Sequence, residues 1–113
     1  MAETPKSGTG RINAINAEMK VLFSKMDDET TAYESAYKAG DKVAFCEHTG
    51  RAYAYTVKFK AKVDEAQPLL ASNGAAEDAK SMLGLSERLT GRINALVNNY
   101  GVTCPNLTRA TIG

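Results

Sequence analysis

Two cysteines are the residues whose chemistry the sequence indicates best. Cys46 and Cys104 are the only cysteines of the chain, and the helices predicted below place both at the same end of the molecule. Two thiols can form a disulfide when their α-carbons come within about 7 Å. Closing a loop of this length would contribute on the order of 4 kcal/mol in the chain-entropy model. The alternative is two unpaired cysteines, Cys46 half-buried as a small apolar residue and Cys104 free in a tail.

A disulfide would also indicate the compartment in which the protein works. Disulfides persist in oxidising environments, so the pair favours a periplasmic or secreted protein. The polar start, Met1 to Lys6, is not a signal peptide, so export would require a leader that is not part of this chain. No window approaches the roughly 18 apolar residues of a membrane span, and we predict none.

Other residues with reactive side chains do not form a convincing site. Cys46, Glu47 and His48 are three metal-ligand types in a row, but successive helical residues point about 100° apart and cannot converge on one ion. His48 is the only histidine, and no glutamate or histidine lies three or four positions from it, so we expect a solvated or capping role. We predict no metal, no cofactor, no catalytic residue and therefore no enzyme.

Tyrosines are the remaining candidates for a functional surface. Tyr33, Tyr37 and Tyr100 should gather with Phe45 near the cysteine end, and Tyr53 lies further along the same central helix. Tyrosine combines apolar area with a hydrogen-bonding group, so this aromatic end could line a ligand pocket or form a protein-binding tip. The alternative is a core that closes its own end.

The first element that must position these residues is a long amphipathic helix ending near Lys38. Its apolar residues alternate in spacing between three and four, which places them on one stripe: Ile12, Ile15, Met19, Leu22 and Met26, continued by Thr30, Tyr33 and Tyr37. Gly40 suits a left-handed C-terminal cap and Asp41 suits the N-cap of the next helix. The two residues together predict a tight helical hairpin.

The second helix is predicted from Lys42 to about Ala66. One apolar set comprises Phe45, Thr49, Ala52, Thr56, Phe59, Val63 and Ala66, and an overlapping set comprises Val43, Cys46, Tyr53 and Val57. Two sets imply a wide buried arc, as expected for the helix that touches both of the others. Pro68 should kink or stop this helix near Asp64 to Gln67, which leaves room for a short extra helical turn at Leu69 and Leu70.

The third helix is predicted from Ala75 to Tyr100. One face carries Met82, Leu85, Leu89, Ile93, Leu96 and Tyr100. Gly84 and Gly91 lie inside it and weaken it by about 1 kcal/mol each relative to alanine. A close approach of another helix would be one compensation.

These elements predict an all-α, elongated antiparallel three-helix bundle in up-down-up order. The length of 113 residues and the 43% hydrophobic fraction fit one soluble domain, and helices of about 25 residues are rods of about 37 Å. The bundle should span residues 9–101, after a flexible N-terminal segment of residues 1–8 and before a tail of residues 102–113 tied back by Cys104. So much surface per residue makes a homo-oligomer plausible.

Charge and internal similarity give weaker indications. Fourteen Lys and Arg against thirteen Asp and Glu give a net charge of +1, which disfavours nucleic acid as a partner.

The heptapeptides from Thr9 to Ile15 and from Thr90 to Leu96 agree at six of seven positions. They should lie toward opposite ends of the bundle, so convergent helix patterning explains them better than a shared functional motif.

Three classes of function follow from these observations. The first is a non-enzymatic, exported helical protein that binds another protein, such as a secretion or pilus accessory, a surface component, or an immunity or inhibitor protein. The second is a carrier of a small molecule or lipid that uses the space near Tyr33, Tyr53 and Tyr100. An enzyme ranks last, because one histidine and scattered carboxylates supply no nucleophile, base and orienting group.

Overall fold

A computed structural model describes residues 6–112, with side-chain surroundings from residue 10 onward. Three α-helices follow one another as α1 (Lys6–Ala39), α2 (Lys42–Ser72) and α3 (Ala76–Tyr100), and a 3-10 turn, Leu107–Arg109, follows them. The described residues contain no strand. The predicted antiparallel three-helix bundle is confirmed. Helix α1 already begins at Lys6, inside the segment predicted to be flexible, and residues 1–5 of that segment lie outside the described residues.

The two helical hairpins turn on glycines in the left-handed region. Gly40 has a φ of 72° and Gly74 a φ of 80°, a conformation that a Cβ atom would strain. The Asp41 carboxylate accepts a hydrogen bond from the Ala44 amide at 3.0 Å, as predicted for an N-cap. The Asp41 amide in turn donates to the Ala36 carbonyl at 3.0 Å. Local sequence therefore suffices to end α1 and start α2.

Helix α2 is the centre of the bundle. All seven residues of its first predicted apolar set are buried. Among the described residues, no α-carbon of α1 lies within 8 Å of one in α3, so both outer helices pack on α2, as predicted. The Thr49 and Thr56 hydroxyls are fully buried and donate to backbone carbonyls one turn earlier, each at 2.6 Å. The core therefore contains these polar groups without unpaired hydroxyls.

The second predicted set on α2 is only partly buried. Val43 is 72% exposed and Val57 is 40% exposed, whereas Tyr55, which was not predicted, is buried. Tyr55 packs with residues of α1, so α1 covers a different flank of α2 from the one that the second set indicated. The predicted flank is covered where the C-terminal tail crosses it, at Cys46.

Pro68 does not stop α2, so the predicted stop near Asp64 to Gln67 is wrong, while the alternative of a kink there stays a prediction. The helix continues through Pro68 to Ser72, so Leu69 and Leu70 belong to its last turn and pack against the main core. Proline removes one amide donor, which leaves the carbonyl of Asp64 without its helical partner. Asp64 and Pro68 are both exposed, so water can satisfy this carbonyl while the packing on the other side holds the helix.

The bundle is long and thin. Its principal extents are 59 × 23 × 21 Å and its radius of gyration is 16.6 Å, against about 13 Å for a compact domain of this length. The expected elongation is confirmed. The expected compensation for Gly91 is absent, because a Cβ atom at that position would meet nothing within 4 Å. At Gly84 the nearest atom would be a guanidinium nitrogen of Arg88, at 3.8 Å.

Candidate functional site

A disulfide closes one end of the bundle. Cys46, in the second turn of α2, is bonded to Cys104, four residues beyond the end of α3, and their α-carbons are 5.3 Å apart. The chain turns back after α3 because the Cys104 amide donates to the Tyr100 carbonyl at 2.7 Å and the Leu107 amide to the Cys104 carbonyl at 2.9 Å. The predicted cysteine pair is therefore present, and it joins residues 58 positions apart.

The disulfide holds the C-terminal tail against the outer surface of α2. Leu107 is 2% exposed, and Ile112 reaches the main core cluster. A Cβ atom at Gly50 would lie 2.9 Å from the Ala110 Cβ and 3.3 Å from the Leu107 carbonyl oxygen. Gly50 is thus the residue that lets the tail cross α2 closely. Sequence reasoning missed it, although a glycine in the middle of a buried helix was a usable signal.

An aromatic cluster lies beside the disulfide. The ring centroids of Phe45 and Tyr100 are 5.2 Å apart, those of Tyr33 and Phe45 are 5.8 Å apart, and both pairs are nearly perpendicular. Tyr33 and Tyr100 complete the triangle at 6.1 Å. Burial raises the pKa of the Tyr33 phenol, the positive charge of Arg92 opposes that rise, and Tyr100 and Glu34 add to it. The structure thus brings Tyr33, Phe45 and Tyr100 together at the cysteine end.

Tyr37 belongs to the same end but not to the core, so its place on the buried stripe of α1 was predicted wrongly. Its side chain is 74% exposed, and its ring pairs with that of Phe45 at 5.9 Å between centroids, which is its one ring pair among the described residues. Helix α3 ends at Tyr100, which packs at the level of Tyr33. Tyr37 lies one turn further along α1, where no residue of α3 remains to cover it.

Three large apolar side chains are therefore exposed at the cysteine end, and we call them the apical patch: Tyr37, Val43 and Val102. Their exposed fractions are 74%, 72% and 93%. Tyr37 and Val43 flank the turn between α1 and α2, and Val102 follows α3, so the fold brings the end of α3 to the first hairpin turn of the chain. Such clustering at one end distinguishes them from single exposed apolar residues elsewhere.

Tyr53, the fourth predicted tyrosine, does not join the apical patch. It lies eight residues beyond Phe45 on α2, is partly buried, and packs against the smaller core cluster around Cys104. It takes part in none of the ring pairs of the described residues. Tyr53 therefore packs beside the disulfide and not in the aromatic cluster.

Two hollows flank the apical patch, and both are open to solvent. One, of about 370 Å³, is lined by Tyr37, Lys42 and Thr103 among others. The other, of about 570 Å³, is lined by Tyr33, Tyr37 and Tyr100 with Glu34 and Lys38 at its margin. Pockets for small molecules bury most of the ligand surface. These hollows are open to solvent and would leave much of a ligand exposed.

His48 has a charged neighbour that the sequence pattern did not indicate. The Glu29 carboxylate lies 2.6 Å from His48 Nδ1 and accepts a hydrogen bond from Arg51 Nε at 3.2 Å. Glu29 belongs to α1, so no local spacing along α2 could place it. The expectation of a merely solvated or capping histidine is corrected to a partly buried, paired one. Among residues 6–112, no group of three or more His, Cys, Asp and Glu side chains could hold a metal ion.

The repeated heptapeptides lie at the start of α1 and in the second half of α3, and their arginines make similar contacts. Arg11 donates to the Glu65 carboxylate through Nε at 2.7 Å, and Arg92 donates to the Thr30 hydroxyl at 2.7 Å. Each arginine therefore reaches from its own helix to a neighbouring one. The final residue of each heptapeptide, Ile15 or Leu96, is buried in the core. The two heptapeptides thus share a packing pattern, as convergent helix patterning predicts.

Comparisons with protein-family models, curated proteins and solved structures find no match for this chain. Within residues 6–112, none of the helices contains an apolar stretch that could span a lipid bilayer.

Proposed function

We propose that this chain is a non-enzymatic protein-binding module, periplasmic or secreted, that contacts its partner through the apical patch. The observation that carries the proposal is the exposure of Tyr37, Val43 and Val102 at one end of a narrow rod. Aromatic and aliphatic anchors surrounded by polar residues are the usual centre of a protein interface. Asp41 and Lys42 supply polar neighbours in the adjoining hollow.

Rigidity of this end supports a binding role. The disulfide fixes the start of α2 to the segment after α3, and the ring of Tyr37 rests against Phe45. A surface that is ordered before binding loses less conformational entropy when the partner arrives. The apical patch can therefore bind tightly with few anchors.

Export is supported by the cysteine pair. All cysteines of the chain are engaged in the one disulfide, and such bonds are stable in oxidising compartments. The net charge of +1 supports a protein partner over nucleic acid. The carrier alternative would need an enclosed cavity near the tyrosines, and the open hollows there favour a protein surface instead.

Site-specific photocrosslinking tests the binding role. A benzophenone amino acid replaces Tyr37 in one variant and Phe23 in a matched control. Phe23 is suitable because it is an aromatic residue of the same helix, is 59% exposed, and lies two turns or more from the patch. After irradiation in the source cells, the variant at Tyr37 should yield a discrete crosslinked protein. The control variant at Phe23 should not yield that product. Equal crosslinking at both positions, or none at position 37, would contradict the proposal.

A further inference from the structure

A third hollow lies beside the apical patch, between the first half of α2 and the C-terminal tail. It has a volume of about 710 Å³, and we call it the tail groove. Its lining includes Lys42, Val43, Glu47, Arg51, Arg109 and Ala110. The disulfide cysteines also line it. Val43 belongs both to this groove and to the apical patch, so one partner can contact the two surfaces together.

Basic side chains dominate the tail groove. Lys42, Arg51 and Arg109 line it, against the single carboxylate of Glu47. The Arg51 guanidinium is already paired with the Glu29 carboxylate, with Arg51 Nε 3.2 Å from Glu29 Oε2. Among the ion pairs of the described residues, neither Lys42 nor Arg109 has a carboxylate within 4 Å. The groove therefore offers two cationic groups whose charge the described residues do not neutralise.

Apolar atoms form part of the same groove. Val43 is 72% exposed, and Pro105 and Ala110 line the tail side. Phosphate-rich polymers gain little from such walls, whereas an acidic peptide segment with an aliphatic side chain matches both the charge and the apolar surface.

The groove is held open by covalent and steric constraints. One wall is α2 and the other is the tail, and the Cys46–Cys104 bond fastens one to the other. Gly50 and Ala110 are already in contact below the groove, since no room remains there for an added Cβ atom. The spacing of the two walls is thus fixed before any ligand binds.

We propose that the tail groove binds an acidic, aliphatic-containing segment of the protein partner. The Arg109 guanidinium and the Lys42 ammonium would each pair with a carboxylate, and an aliphatic side chain would pack on Val43. This inference rests on the proposed function, because it describes the chemistry of the partner that the apical patch contacts.

A peptide titration followed by amide NMR tests the groove without the natural partner. The probe is an acetylated and amidated hexapeptide that alternates glutamate and leucine, added to the oxidised full chain at low salt. The comparison probe replaces each glutamate with lysine. Saturable shifts should appear at Val43, Cys46, Thr103 and Ala110 with the acidic probe alone, and binding should weaken as salt is raised.

Charge variants make the test specific. Lys42→Glu with Arg109→Glu should weaken binding by about tenfold or more, since two rim ion pairs are replaced by repulsion. The matched control is Lys80→Glu with Arg88→Glu, the same change of charge on exposed residues of α3, which should change binding by less than about twofold. Glu47→Gln should tighten binding about twofold, because it removes the one carboxylate that the described residues contribute to the groove.

Several results would overturn the inference. These are equal binding of the lysine probe, shifts scattered over the surface, equal weakening in both double variants, or tighter binding of a thymidine oligonucleotide at the same residues. If the peptide fails while position 37 still crosslinks a partner, only the groove assignment falls. If the peptide binds but no partner crosslinks at position 37, the proposed function falls instead.

Discussion

At the scale of single residues, two contacts join parts of the chain that are far apart in sequence, one at Gly50 and one at Arg92. Gly50 is needed because the tail crosses α2 at that position. Arg92 bridges α3 to Thr30 of α1, yet its Nε atom is buried and has no hydrogen-bond partner among the described residues. The first contact is tightly packed and the second is imperfect, so substitutions at the two positions should have opposite consequences.

Gly50→Ala should destabilise the protein. The new Cβ atom would lie 2.9 Å from the Ala110 Cβ, so the tail must shift, and overpacking of this kind costs about 1 to 3 kcal/mol. Gly91→Ala is the matched control within a helix, because its Cβ would meet nothing within 4 Å; it should stabilise by about 1 kcal/mol. Urea unfolding measures both, and equal effects of the two substitutions would contradict the close crossing.

Arg92→Met should leave the free energy of unfolding unchanged or raise it by up to about 1 kcal/mol. The substitution removes a buried donor that has no partner and keeps an apolar stem of similar length. Thermal unfolding of the purified variant measures the effect. A loss of more than about 1 kcal/mol would mean that the bridge to Thr30 contributes more than the unpaired donor costs.

At the scale of the helices, the features predicted correctly are those that depend on residues close together in the chain. Seven of the nine buried residues of α2 follow from spacing alone, and Gly40 with Asp41 predicts the first turn because both act on neighbouring backbone atoms. Pro68 was misjudged because its effect depends on packing and on exposure of one carbonyl. The exposure of Val43 depends on which flank of α2 the distant α1 covers.

The candidate site was predictable to a similar extent. The meeting of Cys46 with Cys104 follows from topology, since consecutive antiparallel helices bring the start of α2 beside the end of α3. The Glu29 pairing of His48 does not follow, because rotation of α1 about its own axis decides it. The exposure of Tyr37 was likewise hidden, because it depends on where α3 ends relative to α1.

Asp64 should make the α2–α3 contact sensitive to acid. Burial raises the pKa of its carboxyl, but hydrogen bonds from Lys60 and Ser86 and the charge of Lys60 outweigh that effect and lower it below 3.8. A carboxyl whose pKa is lowered on folding stabilises the protein above its unfolded pKa, and this stabilisation is lost as pH falls through the folded pKa.

Asp64→Asn should therefore be less stable than the parent chain at neutral pH, and the difference should shrink below about pH 4. Urea unfolding at a series of pH values measures it. Asp27→Asn is the control, because Asp27 is exposed and has no ion pair among the described residues. A difference that grows as the pH falls would contradict the sign of the pKa shift.

At the scale of the whole molecule, a narrow rod has little core for its length. The radius of gyration of 16.6 Å implies much surface for each buried residue, so a covalent bond at one end matters more than it would in a compact domain. Self-association of the rod into a homo-oligomer stays a prediction. The tail groove and the apical patch both depend on the same bond.

Replacing both cysteines with alanine should lower the free energy of unfolding by about 4 kcal/mol, the value expected for opening a loop of 58 residues in the chain-entropy model. The helical content should persist, because the main core around Ile15, Val63 and Leu89 lies away from the bond. Circular dichroism with urea unfolding measures both quantities. Unchanged stability would show that the bond does not hold the bundle.

We propose that this protein works in an oxidising compartment with its binding end locked by the bond between Cys46 and Cys104. Intact mass spectrometry of the protein from its native source, alkylated without reduction, distinguishes this bond from two free thiols. We predict a mass lower by two hydrogen atoms than that of the reduced chain, with no alkylated cysteine. Two alkylated cysteines on native material would contradict both the locked end and the export of the protein.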